Sequence, residues 1–215
     1  MSRSNRTPTL LKDYQPPRFF IKKVNLNIEI YPEKTLVRSK LEFSVNEFFS
    51  KENSRLVLNG VSLILKEISL EGSQLGKDAY KYENDELTIF NVPKSFILET
   101  LVEINPRHNS TLSGLYFSKR GYFTQCEAEG FRRITFFLDR PDVMAQFVTT
   151  ISADREDFPV LLSNGNLVSS GQTGRTHWAT WEDPFPKPCY LFAMVAANLS
   201  KIEDSFITMS GRHIS

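Results

Sequence analysis

The chain reads as an all-β protein, a two-layer or saddle-shaped antiparallel β-sandwich, on three observations. Apolar residues recur with period two over long stretches, turn signals interrupt them at short intervals, and almost no segment shows helical spacing. At 215 residues, with 40% hydrophobic content and 12% aromatics, there is ample material for one core. All-β domains of this length are commonly undivided.

The elements follow in chain order. Residues 1–17 are polar, end in Pro16-Pro17 and are expected to form a surface arm. Val24, Leu26, Ile28 and Ile30 then alternate with polar residues, as do Val37, Leu41, Phe43 and Val45, and Tyr31-Pro32-Glu33-Lys34 joins the two runs. This pattern predicts an antiparallel hairpin with one buried face. Further strands are expected over 55–58, 63–70, 86–91, 96–105, 114–117, 143–153, 160–162, 166–170, 177–182, 190–199 and 203–209. Turns are expected at Asn59-Gly60, Asn164-Gly165, 171–174 and the proline run 184–188. The single helical turn is placed within 130–138, and Phe136 and Phe137 are assigned to the core. Trp178 and Trp181 are assigned to packing, in the core or at a domain interface. The main domain is bounded at 18–209. Ser210-Gly211 signals a turn with too little chain after it for an ordinary return strand. Residues 210–215 are therefore read as a hairpin cut in its middle.

Composition also excludes function classes. A net charge of +1 argues against nucleic acid as the main partner, and the short basic cluster in 2–6 does not change that. No apolar run reaches the roughly 20 residues of a membrane-spanning helix, and the polar start lacks an apolar signal region. No membrane partner and a cytoplasmic location are expected. The two cysteines, Cys126 and Cys189, are read as reduced thiols.

The most distinctive stretch is Gln125-Cys126-Glu127-Ala128-Glu129-Gly130-Phe131-Arg132-Arg133, followed by Asp139-Arg140-Pro141-Asp142. In an extended conformation Gln125, Glu127 and Glu129 would share one face and form a polar ledge. Ionised carboxylates accept hydrogen bonds and an ammonium donates them, so such a ledge suits a positively charged ligand. The simpler reading pairs Glu127 and Glu129 with Arg132 and Arg133 in a structural ion cluster.

This stretch, with Leu58-Asn59-Gly60, Gly114-Leu115-Tyr116, Leu162-Ser163-Asn164-Gly165-Asn166 and the run from Trp181 to Ala193, closely resembles the zinc aminopeptidases of the aminopeptidase N type. The matching words keep the family's order across nearly the whole chain, and they cover only the family's amino-terminal β domain. The resemblance implies that Glu127 binds the free α-amino group of a peptide substrate and that Gln125 lines the pocket for the first side chain. Glu129 is a third, weaker substrate-binding candidate and is better read as the partner of an arginine, and Arg132, Arg133, Asp139, Arg140 and Asp142 are read as fold-stabilising. It also implies a zinc cofactor in the parent protein and a carboxy-terminal zinc domain as partner within the same polypeptide.

The chain lacks that family's zinc chemistry. Its three histidines, His108, His177 and His213, are widely separated and include no His-Glu-x-x-His. This chain alone is expected to bind no catalytic metal and to hydrolyse nothing. A Cys126–His177 thiol dyad has no ordering motif behind it, and Ser163-Asn164-Gly165 is a β-turn word and not a nucleophile elbow. The competing function is a free-standing β-sandwich binding or scaffold protein without peptidase activity, because one fold hosts many functions.

Overall fold

The computed structural model describes residues 10–49 and 55–214; the basic cluster at 2–6 lies outside them. The strands are β1 (Phe19–Ile30), β2 (Thr35–Val45), β3 (Leu56–Asn59), β4 (Ile64–Leu70), β5 (Ser73–Gln74), β6 (Tyr80–Glu83), β7 (Glu86–Ile89), β8 (Ser95–Ile104), β9 (Gly114–Ser118), β10 (Gly121–Gln125), β11 (Met144–Asp154), β12 (Val160–Ser163), β13 (Asn166–Thr173), β14 (Thr176–Pro188), β15 (Met194–Ala197), β16 (Phe206–Ile207) and β17 (His213–Ile214). Among the described residues the only helical segments are short 3-10 turns. The architecture is therefore all-β, as period-two patterning predicts.

An eight-stranded sheet runs β13-β14-β11-β1-β2-β8-β4-β5, beside a four-stranded sheet β12-β15-β10-β9 and a three-stranded sheet β3-β7-β6. Leu41 and Leu98 of the large sheet, Leu58 and Leu87 of the three-stranded sheet, and Leu115 and Ala196 of the four-stranded sheet share one hydrophobic cluster. The β1–β2 hairpin forms as the alternation requires, with Val24, Leu26, Ile28, Val37 and Leu41 buried and Tyr31 N–H donating 2.9 Å to the Lys34 carbonyl. Burying one face of such a hairpin contributes roughly 1.5–3 kcal/mol for each large aliphatic side chain.

The pairing departs from a purely antiparallel sandwich at one place. β1 lies parallel to β11, with Lys23 opposite Gln146 and Glu29 opposite Ser152. Local alternation specifies which face a strand buries but not the direction of a neighbour distant in sequence, so the parallel pair left no mark in the pattern. The proline run 184–188 is a second departure. It continues β14 instead of turning, with Pro188 opposite Met144 and Lys187 opposite Ala145, and residues 184–186 bulge opposite Gln146 of β11. Proline tolerates such a place because it is compatible with an extended backbone and is found at bulges. Lys187 is buried there, its Nζ 2.7 Å from Asp183 and 4.2 Å from the Phe147 ring centroid. Burial pushes its pKa down, against the opposing hydrogen bond to Asp183.

Other expectations shift in extent. Residue 171 lies inside β13, and the turn falls at Gly174, where φ is +58°. The strand expected over 190–199 is a 3-10 turn, Cys189–Leu191, followed by β15. Within 130–138 only Phe131–Arg133 is helical. After Gly211 the chain does return, as the two-residue β17 paired with β16, and the strand expected over 203–209 shrinks to β16. Phe136 and Phe137 are fully buried. Trp181 packs against the core with Nε1 donating 3.2 Å to the Leu161 carbonyl, while the Trp178 ring lies over Gly171, where a Cβ would approach it to 2.8 Å.

Tyr14 and Gln15, within the stretch expected as an arm, are held by a small polar clamp. Tyr14 Oη donates 2.9 Å to Asp142, Arg140 makes a bidentate pair with Asp142 at 2.9 and 2.7 Å, and Arg140 Nη2 donates 2.7 Å to the Gln15 carbonyl. The Arg140 hydrogen bond, helped by that of Tyr14, holds the Asp142 carboxyl below its ordinary 3.8. A carboxyl depressed in the folded state stabilises above its unfolded value and loses that contribution as pH falls through the folded one. The clamp should therefore operate above about pH 4 and weaken below it. Its partly exposed geometry limits its worth to about 0.5–1 kcal/mol. Asp142→Asn is expected to cost that amount at pH 7 and to speed limited proteolysis of the arm; an arm cleaved at the wild-type rate would contradict the clamp.

Candidate functional site

The Gln125–Arg133 stretch is not one extended ledge. β10 ends at Gln125, opposite Gly114 of β9, and the chain then turns through Cys126–Gly130, closed by the Gly130 N–H donating 2.8 Å to the Cys126 carbonyl. The Glu127–Ala128 peptide bond is cis. Close backbone packing sets this turn. A Cβ on Gly130 would run into the Gln125 carbonyl oxygen, and one on Gly114, at φ +76°, would meet Arg133 Cβ at 2.6 Å. Glycine is needed at both positions, which period-two reasoning over five residues does not register.

The consequence for side chains is specific. Gln125, Glu127, Ala128 and Glu129 are all exposed and Cys126 is buried. Gln125 Nε2 donates 3.3 Å to the Glu127 carbonyl, bracing the turn. Glu129 pairs with Arg132 at 3.3 Å, as the arginine-partner reading expects. The Glu127 carboxylate makes no hydrogen bond or ion pair among the described residues, and the exposed residue stands at the tip of the turn.

Behind the tip the structure is tightly tied. Arg132 donates to Asp139 Oδ2 from its backbone N at 3.1 Å and from Nε at 2.8 Å, and its Nη2 donates 3.1 Å to the Asp139 carbonyl. Cys189 Sγ donates 3.1 Å to Asp139 Oδ1, and the Asp139 N–H donates 3.3 Å to Asn59 Oδ1. The Asp139 side chain is 1% exposed, so its carboxylate ties Arg132 to Cys189 in a dry setting while its backbone N–H adds Asn59. Phe131, at 4.8 Å from the Phe137 ring, 5.9 Å from Phe147 and 5.2 Å from Phe192, pins the same turn to the large sheet. The sequence grouping of Arg132 with Asp139 as structural is thus met. The part of Cys189 was missed, because nothing local connects it to a residue so far away.

Both cysteines are free and buried. Burial, with Asp139 nearby, pushes the Cys126 thiol up to about 12, and Cys189 is raised as well. Thiols held protonated in this way are poor nucleophiles. His177 Nε2 is engaged 2.8 Å from the Phe158 carbonyl. No dyad is assembled. Ser163 and Asn164 instead fasten the loop, through Ser163 Oγ to the Ala193 carbonyl at 2.8 Å and Asn164 Oδ1 to the Ala193 N–H at 2.7 Å. Among the described residues no group of three or more His, Cys, Asp or Glu side chains is placed to hold a metal ion. No helix of the described residues is long and apolar enough to cross a membrane.

An exposed carboxylate on a braced turn at the end of a β-hairpin can bind a cation, and comparison with other proteins gives that turn its family. Residues 14–191 match the peptidase M1 N-terminal domain model. The chain belongs to the peptidase M1 N-terminal domain family. It is 48% identical over 206 residues to aminopeptidase N of Caulobacter vibrioides and 43% identical over 205 residues to aminopeptidase N of Escherichia coli K12. These alignments cover 95% and 94% of the chain but 23% of each relative, so the chain spans about a quarter of their length. Among solved structures, aminopeptidase A of Legionella pneumophila in complex with aspartic acid aligns at TM-score 0.89 and 34% identity, over 95% of this chain and 24% of that one. The M1 zinc metallopeptidase of Deinococcus radiodurans aligns at TM-score 0.74 and 12% identity, over 91% of this chain and 46% of that one, which shows the shared fold. The expected fold and family both stand.

Proposed function

We propose that this chain serves as the amino-terminal domain of a cytoplasmic zinc aminopeptidase, with residues 18–209 as the domain and 210–215 leading towards a zinc domain in the same polypeptide. Its role is to present Glu127 to the protonated α-amino group of a peptide and Gln125 to the first side chain, while Glu129 stays with Arg132. The observation that carries this reading is Glu127 itself, exposed and without a partner at the tip of a turn that is otherwise locked. The relatives named aminopeptidase N support the assignment over nearly the whole chain.

The described residues do not fit a zinc site, and in this reading the metal is held by the zinc domain of the parent polypeptide. When bound, zinc polarises a carbonyl or activates water. This chain's share is positional: a fixed carboxylate accepts a free ammonium and leaves an acetylated or internal peptide without its ion pair. A parent polypeptide is expected to hydrolyse aminoacyl p-nitroanilides and to lose that activity on chelation, while the 215-residue chain alone releases no p-nitroaniline. Chelator-insensitive hydrolysis, or turnover by this chain alone, would overturn the assignment and favour a free-standing protein.

A further inference from the structure

One sequence reading is not met. Arg133, grouped with the fold-stabilising charges, donates 3.0 Å from its backbone N–H to the Gly130 carbonyl, but its guanidinium makes no hydrogen bond or ion pair among the described residues although the residue is half-buried. It lines a cleft of about 240 Å³, many times the roughly 10–15 Å³ that admits one water. Ser62, Asn105, His108 and Ser110 bring further polar groups to the same cleft, over a floor that includes Ile104 and Leu115, and no carboxylate lines it. The acidic residue next to Ile104 in sequence, Glu103, is occupied by Lys34 at 3.7 Å and Lys66 at 3.5 Å.

The walls are held independently of any ligand. Asn109 Nδ2 donates to the Ser113 and Leu115 carbonyls at 2.8 and 2.9 Å, and its Oδ1 accepts from Thr111 Oγ1 at 2.6 Å, closing the 109–115 loop. Val61 N–H donates 2.8 Å to the Arg132 carbonyl, joining the Ser62 side to the Arg133 side. Arg133 Cβ is packed against Gly114. A positive guanidinium, an imidazole, an amide and hydroxyls thus converge in a prebuilt cleft without a counter-charge. Guanidinium forks match oxyanions geometrically, and preorganisation lowers the cost of binding them.

We propose that this cleft binds a phosphate-sized oxyanion, with Arg133 as its principal donor. The site is separate from the Glu127 tip, and the proposal does not depend on the peptidase reading. The test is a titration of the 215-residue chain with inorganic phosphate against sodium chloride at matched ionic strength. With a Kd of about 1 mM, 10 mM phosphate should raise Tm by about 3–6 °C beyond the chloride control. Amide chemical shifts should move saturably at 62, 105, 107–111 and 133. Arg133→Gln should abolish the response, Arg133→Lys should weaken it about fivefold or more by removing the fork, and Arg120→Gln, at an exposed arginine outside the cleft, should leave it unchanged. A response that never saturates, shifts centred elsewhere, or an Arg133→Gln protein that binds phosphate like the wild type would overturn it. If Arg133→Gln does not fold, the shift map of the wild type and the Arg133→Lys titration decide.

Discussion

Replacing Glu127 by alanine, in a polypeptide that also carries the zinc domain, is expected to lower kcat/KM for peptides with a free α-amino group by roughly 30- to 4,000-fold, with zinc content unchanged. The range follows from the cost of removing one member of an enclosed charge pair, about 2–5 kcal/mol, at 1.4 kcal/mol per decade. Enclosure decides the size. In this chain Glu127 is exposed, and an ion pair left in water is worth only about 0–1 kcal/mol, less than tenfold. A loss above about thirtyfold therefore requires the bound peptide and the zinc domain to exclude water around the pair. Glu127→Gln should recover little, because a neutral amide supplies an acceptor without the charge. Measured zinc content separates this effect from damage to the metal site.

Asp139→Ala is expected to be the most damaging single change for stability in the site region, by about 3 kcal/mol. It leaves the Arg132 guanidinium, which is 19% exposed, with only the exposed Glu129 and a backbone carbonyl as partners, and removes the acceptor of the Cys189 thiol. For a chain of this size that corresponds to a fall in Tm of about 6–12 °C. Asp139→Leu combined with Arg132→Met should be less destabilised than Asp139→Leu alone, since removing both charges avoids the uncompensated one. A thermal or urea unfolding series measures this directly. An Asp139→Ala protein within about 1 kcal/mol of wild type would show that Asp139 is not the tie it is described to be. The loss should also reach function: with Arg132 released, Glu129 loses its partner and the Glu127 turn loses the wall behind it.

Sequence reading goes furthest where the determinants are local. The β1–β2 hairpin follows from alternation within each strand and a proline turn between them, and the burial of Phe136 and Phe137 follows from composition. It stops where a distant segment decides. The turn at Cys126–Gly130 depends on Gly114 packing against Arg133 and on Gly130 lying against the Gln125 carbonyl, so an alternating polar pattern was compatible with a strand that does not form. The proline run 184–188 looked like a corner until β11 supplied a partner for it. At the site, Gln125 and Glu127 are exposed and Glu129 pairs with Arg132. The unpaired Arg133 guanidinium does not follow from the sequence, because only the three-dimensional arrangement shows which arginine takes the buried Asp139 carboxylate.

The most direct measurement is the ratio of kcat/KM for a peptide with a free amino terminus to that for its N-acetylated form, in the wild-type parent and in Glu127→Ala. If a carboxylate at position 127 reads the ammonium, the wild type discriminates strongly and the variant loses most of that ratio, through the free peptide alone. An unchanged ratio in Glu127→Ala would place the recognition of the amino terminus elsewhere.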